Sequence, residues 1–237
     1  MADNPRTFAD VQRTVHSLHK ISAIKDTLSF YDTWYEFYEQ DLKLLDYQAP
    51  RLASMSLADV MPEDRDQALI LDVACGTGLV AMQLQNLGFC KFHGLDGSER
   101  MLQIAQSKSV YQTLQKCIIG AEPLPLSSDT YDAVLIVGAL SEGQVPCTIV
   151  TELHRVTKPG GFVCMTTRRN VSNQLYNSQL QAVIEKMEQK GLWVKVKAQE
   201  IEQWEKATSG HETKQDSTYI PGTIYIYQKS KGPELKK

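Results

Sequence analysis

Apolar positions follow two different rhythms along this chain. Before residue 60 they recur at helical spacing: Val11, Val15, Leu18, Ile21 and Leu28 predict one amphipathic helix or two. Phe30 to Tyr38 follows, with six aromatics in nine residues, of which Tyr31, Trp34, Tyr35 and Tyr38 fall on one helical face. That stripe suits both a core-facing helix and a lid lying across a binding cleft. Residues 61–66, Met-Pro-Glu-Asp-Arg-Asp, form a polar hinge. After it, short apolar runs alternate with helical periods. Strands are predicted over residues 69–73, 92–95, 116–119, 132–137 and 162–166. Helices are predicted over 79–87, 99–108 and 148–156, and Lys158-Pro-Gly-Gly161 reads as a turn.

This alternation predicts a doubly wound parallel sheet. The end of the chain differs. A helix over 173–190 precedes two strand-like runs, 193–197 and 219–227, with no helix between them and a polar loop over 208–217. They predict an antiparallel hairpin at one sheet edge. The expected architecture is an α/β, Rossmann-like sheet of seven strands, mostly parallel. Residues 1–60 would form a helical cap and residues 61–237 the main domain.

The composition narrows the partners. The chain has 237 residues, 42% hydrophobic and 22% charged, which is enough for a full core. Its net charge of −3, with no basic stripe, argues against nucleic acid. Five cysteines, an odd number with no CxxC pair, argue against a disulfide framework or a zinc site and for a reducing compartment. There is no apolar leader or membrane-length segment, so the chain reads as a soluble monomer of the cytosol or nucleus, with no membrane partner.

The chemistry concentrates between residues 70 and 98. Ile70-Leu-Asp-Val-Ala-Cys-Gly-Thr-Gly78 is an apolar strand running into a glycine turn, and Gly94-Leu-Asp-Gly-Ser98 ends the next strand on an acid. In a βαβ unit that acid binds both hydroxyls of a ribose. The same spacing fits a dinucleotide, so an NAD(P)-dependent oxidoreductase stays open on this motif alone. Against it stand the late position of the motif and Asp72, an acid ill suited to a pyrophosphate but well suited to an ammonium.

With the Lys158-Pro-Gly-Gly161 turn added, the stretch from Gln67 to Thr167 resembles the class I S-adenosylmethionine-dependent methyltransferases. The resemblance implies S-adenosylmethionine as cofactor and S-adenosylhomocysteine as product. It implies that Asp72, Ala74, Gly76, Thr77 and Gly78 face the methionine portion and that Asp96 holds the ribose. Gly97, Ser98 and Met101 would border the adenine, and Gly120, Ala121 and Glu122 would meet its edge through backbone N–H groups. Val137 and Gly138 would lie near the sulfonium, with Trp34 and Tyr38 closing over the methionine end. Two positions depart from the pattern: Gly120 stands where an acid is frequent, and Gly97 where a bulky residue is.

In such a reaction the cofactor carries the activation, so no obligatory catalytic side chain is expected. Ser141 and Glu142 are candidate bases. His16 and His19 could reach the pocket from the N-terminal helix, His154 reads as structural and Cys75 as a small filler. Arg168, Arg169 and Asn170 could clamp a carboxylate or phosphate, or be ordinary surface. The expected function is methyl transfer to an N, O or S nucleophile of a small molecule, with a protein acceptor second. A protein that binds the cofactor without catalysis is the competing class.

Overall fold

The computed structural model describes residues 5–18, 21, 23–213 and 217–232. Seven strands form one sheet: β1 (Leu69–Val73), β2 (Lys91–Asp96), β3 (Thr113–Lys116), β4 (Tyr131–Leu140), β5 (Thr157–Arg168), β6 (Trp193–Lys206) and β7 (Tyr219–Lys229). Their order is β3-β2-β1-β4-β5-β7-β6. The first five run parallel, and β7 pairs antiparallel with both β5 and β6. The expected edge hairpin is therefore present, with its second strand folded inward beside β5.

Period-two alternation sorts each strand between two cores. Leu71, Val73, Val134, Ile136, Val163 and Met165 face one side, together with α7 (Ile149–Val156) and α8 (Gln174–Gln189). Ile70, Ala133, Leu135, Cys164, Ile224 and Ile226 face the other, against α4 (Ala49–Val60) and α5 (Leu79–Asn86). These interior strands read as near-continuous apolar runs because both faces are covered. A third core unites α1 (Phe8–Leu18), α2 (Ile24–Trp34) and α3 (Tyr38–Leu44) through Val11, Val15, Leu18, Trp34, Leu42 and Leu45. On the β2 side, α6 (Glu99–Ser107) starts at Ser98, whose hydroxyl accepts the Met101 N–H at 3.1 Å.

Three local expectations shift. The third strand lies at Thr113–Lys116, three residues early, because it is a polar edge strand with no apolar pattern to mark it. Lys158-Pro-Gly-Gly161 is part of β5 rather than a free turn. Pairing jumps from Tyr131 with Thr157 to Ala133 with Phe162, so the glycines form a bulge. The aromatic segment is broken: α2 ends at Trp34 and α3 begins at Tyr38. Tyr31, Trp34 and Tyr38 still cluster, with centroids 5.0–6.2 Å apart, while Tyr35 turns away under the Arg100 guanidinium.

The strand order reverses direction between β1 and β4. In an open α/β sheet, the crevice at the carboxyl ends of those strands is where ligands bind. The N-terminal helices cover that crevice.

Candidate active site

The first cavity opens at this switch point. Its empty space, counting the part open to solvent, is about 690 Å³, and it is bordered by Ala74, Gly76, Asp96, Gly97, Met101 and Gly138 below and by Leu28, Tyr31 and Tyr38 of the N-terminal segment, among others. The turn after β1 is tightly wound, with Ala74, Gly76 and Gly78 all at positive φ (56°, 54° and 87°). Ala74 is the unusual one, since a side chain rarely adopts that region and such residues gather at functional sites. A Cβ on Gly76 would meet no atom within 4 Å, so this turn leaves free space above the backbone where a ligand can lie.

Asp96 ends β2, half a turn from the glycine loop. One carboxylate oxygen accepts the Gly76 N–H at 2.7 Å, and the other accepts the Ser98 N–H at 2.8 Å. A carboxylate has about four lone-pair sites, so acceptor capacity remains for the hydroxyls of a ribose. Burial pushes the Asp96 carboxyl up, and the Ser98, Gly76 and Gly97 N–H groups pull it back.

Asp72 is less exposed still, at 1%. One oxygen accepts the Tyr111 hydroxyl at 2.7 Å; the other has no partner among the described residues. Burial drives this carboxyl up to about 7, opposed by the Tyr111 hydrogen bond and helped by the charge of Asp96. The Thr77 hydroxyl is likewise buried and unpartnered. Two orphaned polar atoms beside the turn fit a ligand carrying an ammonium and a carboxylate. Burial also raises the Cys75 thiol well above its ordinary value, leaving it a packed, unreactive group.

Leu28 answers the departure at Gly97. Its side chain occupies the space above that residue, so that a Cβ on Gly97 would come within 2.5 Å of Leu28 Cδ2. An apolar surface is thus supplied from α2 where the sequence carries only a glycine. Gly120 adopts φ +87°, and a Cβ there would strike Pro146 at 2.5 Å. Among the expected residues, Ala74, Gly76, Asp96, Gly97, Met101, Val137, Gly138 and Tyr38 border the first cavity. Asp72, Thr77, Gly78, Ser98, Gly120, Ala121, Glu122 and Trp34 do not. The Ser98 hydroxyl instead reaches Asp32 of α2 at 2.5 Å, and the Trp34 indole donates to Asp41 at 2.7 Å.

A second cavity, also about 690 Å³, adjoins the first. The two share Tyr31, Tyr38, Gly138 and Gln144. Its walls are Tyr47, Trp204, Leu45 and Ile220, with Ser141, Arg168 and Glu205 as polar groups. The joint is close: a Cβ on Gly138 would lie 2.3 Å from the Tyr47 hydroxyl. Arg168 pairs with Glu205 at 3.5 Å and points its other nitrogen at the Ser141 hydroxyl at 3.4 Å. Arg169 is paired with Glu200 instead. The two arginines are therefore both committed, which weakens their reading as a clamp for an anion. Burial pushes the Tyr31 hydroxyl up to about 12, and Tyr47 higher, so both phenols stay neutral.

Tyr47, Trp204 and Glu205 escape sequence reasoning. Trp204 and Glu205 are consecutive and both buried, against strand alternation, because β6 bulges between Ile201 and Glu205. Of the other candidates, Glu142 is exposed, His16 is exposed, and His154 bonds the Leu192 carbonyl at 3.1 Å while packing on Trp193. His19 lies outside the described residues. No cluster of metal-ligating side chains occurs among the described residues. Among the described residues, no helix is long and apolar enough to cross a membrane.

A glycine turn, the acid that ends β2 and two adjoining cavities meet at the switch point. Comparison with known proteins shows the family. Residues 71–165 match a family model described as a methyltransferase domain. The chain belongs to the class I S-adenosylmethionine-dependent methyltransferases. It is 51% identical to methyltransferase-like protein 27 of Homo sapiens over 187 residues, which is 79% of this chain and 76% of that one. Solved structures share the fold at low identity. The methyltransferase complexed with the Trm112 activator of Haloferax volcanii superposes with a TM-score of 0.63 at 15% identity, over 88% of this chain and 98% of that one. Magnesium protoporphyrin IX methyltransferase of Synechocystis PCC 6803, solved with bound cofactor, gives 0.54 at 16%, over 76% and 79%.

Proposed function

We propose that the protein transfers a methyl group from S-adenosylmethionine to a nucleophilic N, O or S atom of a small molecule held in the second cavity. The observation that carries this reading is the junction: two cavities of similar size meet at Gly138, with Tyr31 and Tyr38 bordering both. Bound in the first cavity, the cofactor supplies a methyl group already activated on a sulfonium. In this reading Asp96 accepts the ribose hydroxyls through the lone pairs left by Gly76 and Ser98. The orphaned oxygen of Asp72 and the Thr77 hydroxyl serve the methionine end, directly or through water. Leu28, Met101, Ile118 and Ile119 sandwich the base. Gly138 lets the Tyr47 hydroxyl approach the joint between the two cavities, where any side chain would collide with it.

The remaining work is alignment and exclusion of water. Tyr31, Trp34 and Tyr38 roof the junction, and the enclosing N-terminal helices favour a small acceptor over a folded protein surface. The test is calorimetric titration with S-adenosylmethionine, S-adenosylhomocysteine and NAD. The first two should bind with micromolar affinity and NAD should not. Asp96→Ala should weaken both about a hundredfold, the equivalent of about 2–3 kcal/mol for lost charge-assisted hydrogen bonds. A folded protein that binds neither would end this reading.

A further inference from the structure

The second cavity carries two carboxylates, Glu205 and Glu212, beside Arg168 and Lys206. Glu205 is 8% exposed and borders the cavity. One of its oxygens faces Arg168 at 3.5 Å, a long contact; the other accepts no hydrogen bond from the described residues. Beyond Arg168 the space continues past Ser141 to Asn170. Asn170 is only 2% exposed, its amide nitrogen donates to Ser172 at 2.9 Å, and its oxygen has no partner. The Asn170 oxygen is thus a buried acceptor without a donor among the described residues, in a neighbouring cavity that shares Ser141, Gln144 and Arg168 with the one Glu205 borders. Tyr31 and Tyr47 line the same cavity as Arg168 and Glu205, and burial keeps both phenols neutral.

Three acceptor chemistries can be weighed against this lining. An anionic head would face the Glu205 and Glu212 carboxylates, and drawing Arg168 away from Glu205 would strand a buried charge, which is costly; Lys206 already donates to the Leu44 carbonyl. A neutral hydroxyl or thiol would satisfy one acceptor and leave the other bare. An ammonium carries several N–H donors and a charge. It can bond the Glu205 oxygen that faces away from Arg168, with aromatic side chains lining the space around it. The bulge in β6 makes this arrangement possible by turning Glu205 inward directly after Trp204.

We propose that the methyl acceptor is a small amine on an apolar or aromatic body, and that Glu205 holds its ammonium group and takes a proton from it before methyl transfer. The proposal rests on the methyltransferase reading above and deepens it. The step balances. The ammonium N–H bond breaks and its proton passes to the Glu205 carboxylate, restoring the nitrogen lone pair. That pair forms the new N–C bond as the C–S bond breaks, and the bonding electrons stay on sulfur. The product leaves as a methylated ammonium with a neutral thioether beside it. Leu45, Trp204 and Ile220 would pack the apolar body.

The experiment is calorimetry on the full chain saturated with S-adenosylhomocysteine, titrated with 2-phenylethylamine, phenylacetate and 2-phenylethanol. The amine should bind at least about tenfold more tightly than either analogue. Equal or tighter binding of the acid or the alcohol would overturn the proposal, and so would failure of all three to bind. Glu205→Gln should bring the amine preference to within about twofold while leaving S-adenosylhomocysteine affinity unchanged within about twofold. Should that variant not fold, the Arg168→Met, Glu205→Gln pair removes both charges together and carries the same expectation. A preference that survives either change sinks the role of Glu205. Loss of S-adenosylhomocysteine binding in the wild type would bring down the cofactor reading instead, and the amine titration on the unloaded protein would then read the cavity by itself.

Discussion

The two cavities are built by different parts of the chain and held by different physics. The first is backbone work. Ala74, Gly76 and Gly78 wind the turn, and Asp96 is fixed by two N–H groups from that turn and the next helix. The second is side-chain work. It depends on Arg168 and Glu205 neutralising each other and on aromatic rings contributed by the N-terminal helices and the edge hairpin. The first arrangement is local in sequence and rigid; the second gathers residues from Val15 to Ile220. A backbone-made site can be conserved in shape while the side-chain-made one is rewritten for another acceptor, so the halves should respond separately to mutation.

The largest effect should come from breaking the second cavity's ion pair. Arg168→Met removes the partner of a buried carboxylate and should cost about 3–5 kcal/mol of stability, less whatever Glu205 recovers by taking a proton. Burial already raises the Glu205 carboxyl against the pull of Arg168, so that recovery is available. Urea unfolding measures the loss. Adding Glu205→Gln should restore part of it. S-adenosylhomocysteine affinity in the folded variant should hold, because Asp96 is fixed by the Gly76 and Ser98 N–H groups and Arg168 bonds Glu205 and Ser141 instead. An equal loss of cofactor affinity would mean that the two halves are one unit.

Next in size is a pH effect confined to the first half. The Asp72 carboxyl stands at about 7 in the folded chain against 3.8 for the ordinary group, chiefly through burial. Between those values the folded chain holds a proton that the unfolded chain releases. Stability should therefore fall as pH rises from about 4 to about 7, by up to a few kcal/mol, and be flat with respect to this group outside the window. Asp72→Asn should flatten the curve, so that the variant is relatively more stable at about pH 8 than at about pH 5. An ammonium-bearing cofactor wants the ionised form, so its affinity should rise with pH over the same range in the wild type alone. Melting temperatures and titrations of both proteins across that range decide it.

The contrast also explains what could be read in advance. The strand and helix alternation from Leu69 to Thr167 follows from apolar runs buried on both faces, and the glycine turn with Asp96 follows from backbone geometry that few residues can adopt. Both leave marks within a few neighbouring positions. The polar edge strand β3 leaves none, since its pairing with β2 is backbone to backbone. Glu205 is invisible for another reason: its strand pattern reads as solvent-facing, and only the irregular pairing of β6 between Ile201 and Glu205 brings it inside next to Trp204. Leu28 reads as one more apolar helix position; only the folded chain shows that it fills the space above Gly97.

A smaller effect tests the joint between the halves. Gly138→Ala places a methyl group 2.3 Å from the Tyr47 hydroxyl on a backbone at φ +80°. The strain and the clash together should cost about 1–3 kcal/mol. Adding Tyr47→Phe removes the oxygen and should return the clash but not the backbone strain, so about half should come back. Denaturant unfolding of both variants separates the two terms. Full recovery would show that the φ value carries no cost here, and no recovery that Tyr47 moves aside freely.

The smallest effect concerns Leu28, which joins the N-terminal helices to the cofactor half. Truncation by Leu28→Ala should uncover apolar surface above Gly97 without disturbing a hydrogen bond. If the side chain covers the base, the lost contact is that of a few methyl groups, about 1–2 kcal/mol, or roughly tenfold in S-adenosylhomocysteine affinity. Gly97→Ala makes the complementary change: its methyl would press on the mobile end of Leu28, which can swing away, so stability should drop by less than about 1 kcal/mol. In the double variant the new methyl stands in the space that Leu28 vacated. Cofactor affinity should then exceed that of Leu28→Ala alone, a non-additivity that calorimetry on the four proteins resolves. Strict additivity would mean that Leu28 and Gly97 do not share the surface on which the base rests, and that the platform is built from Met101 and Ile118 alone.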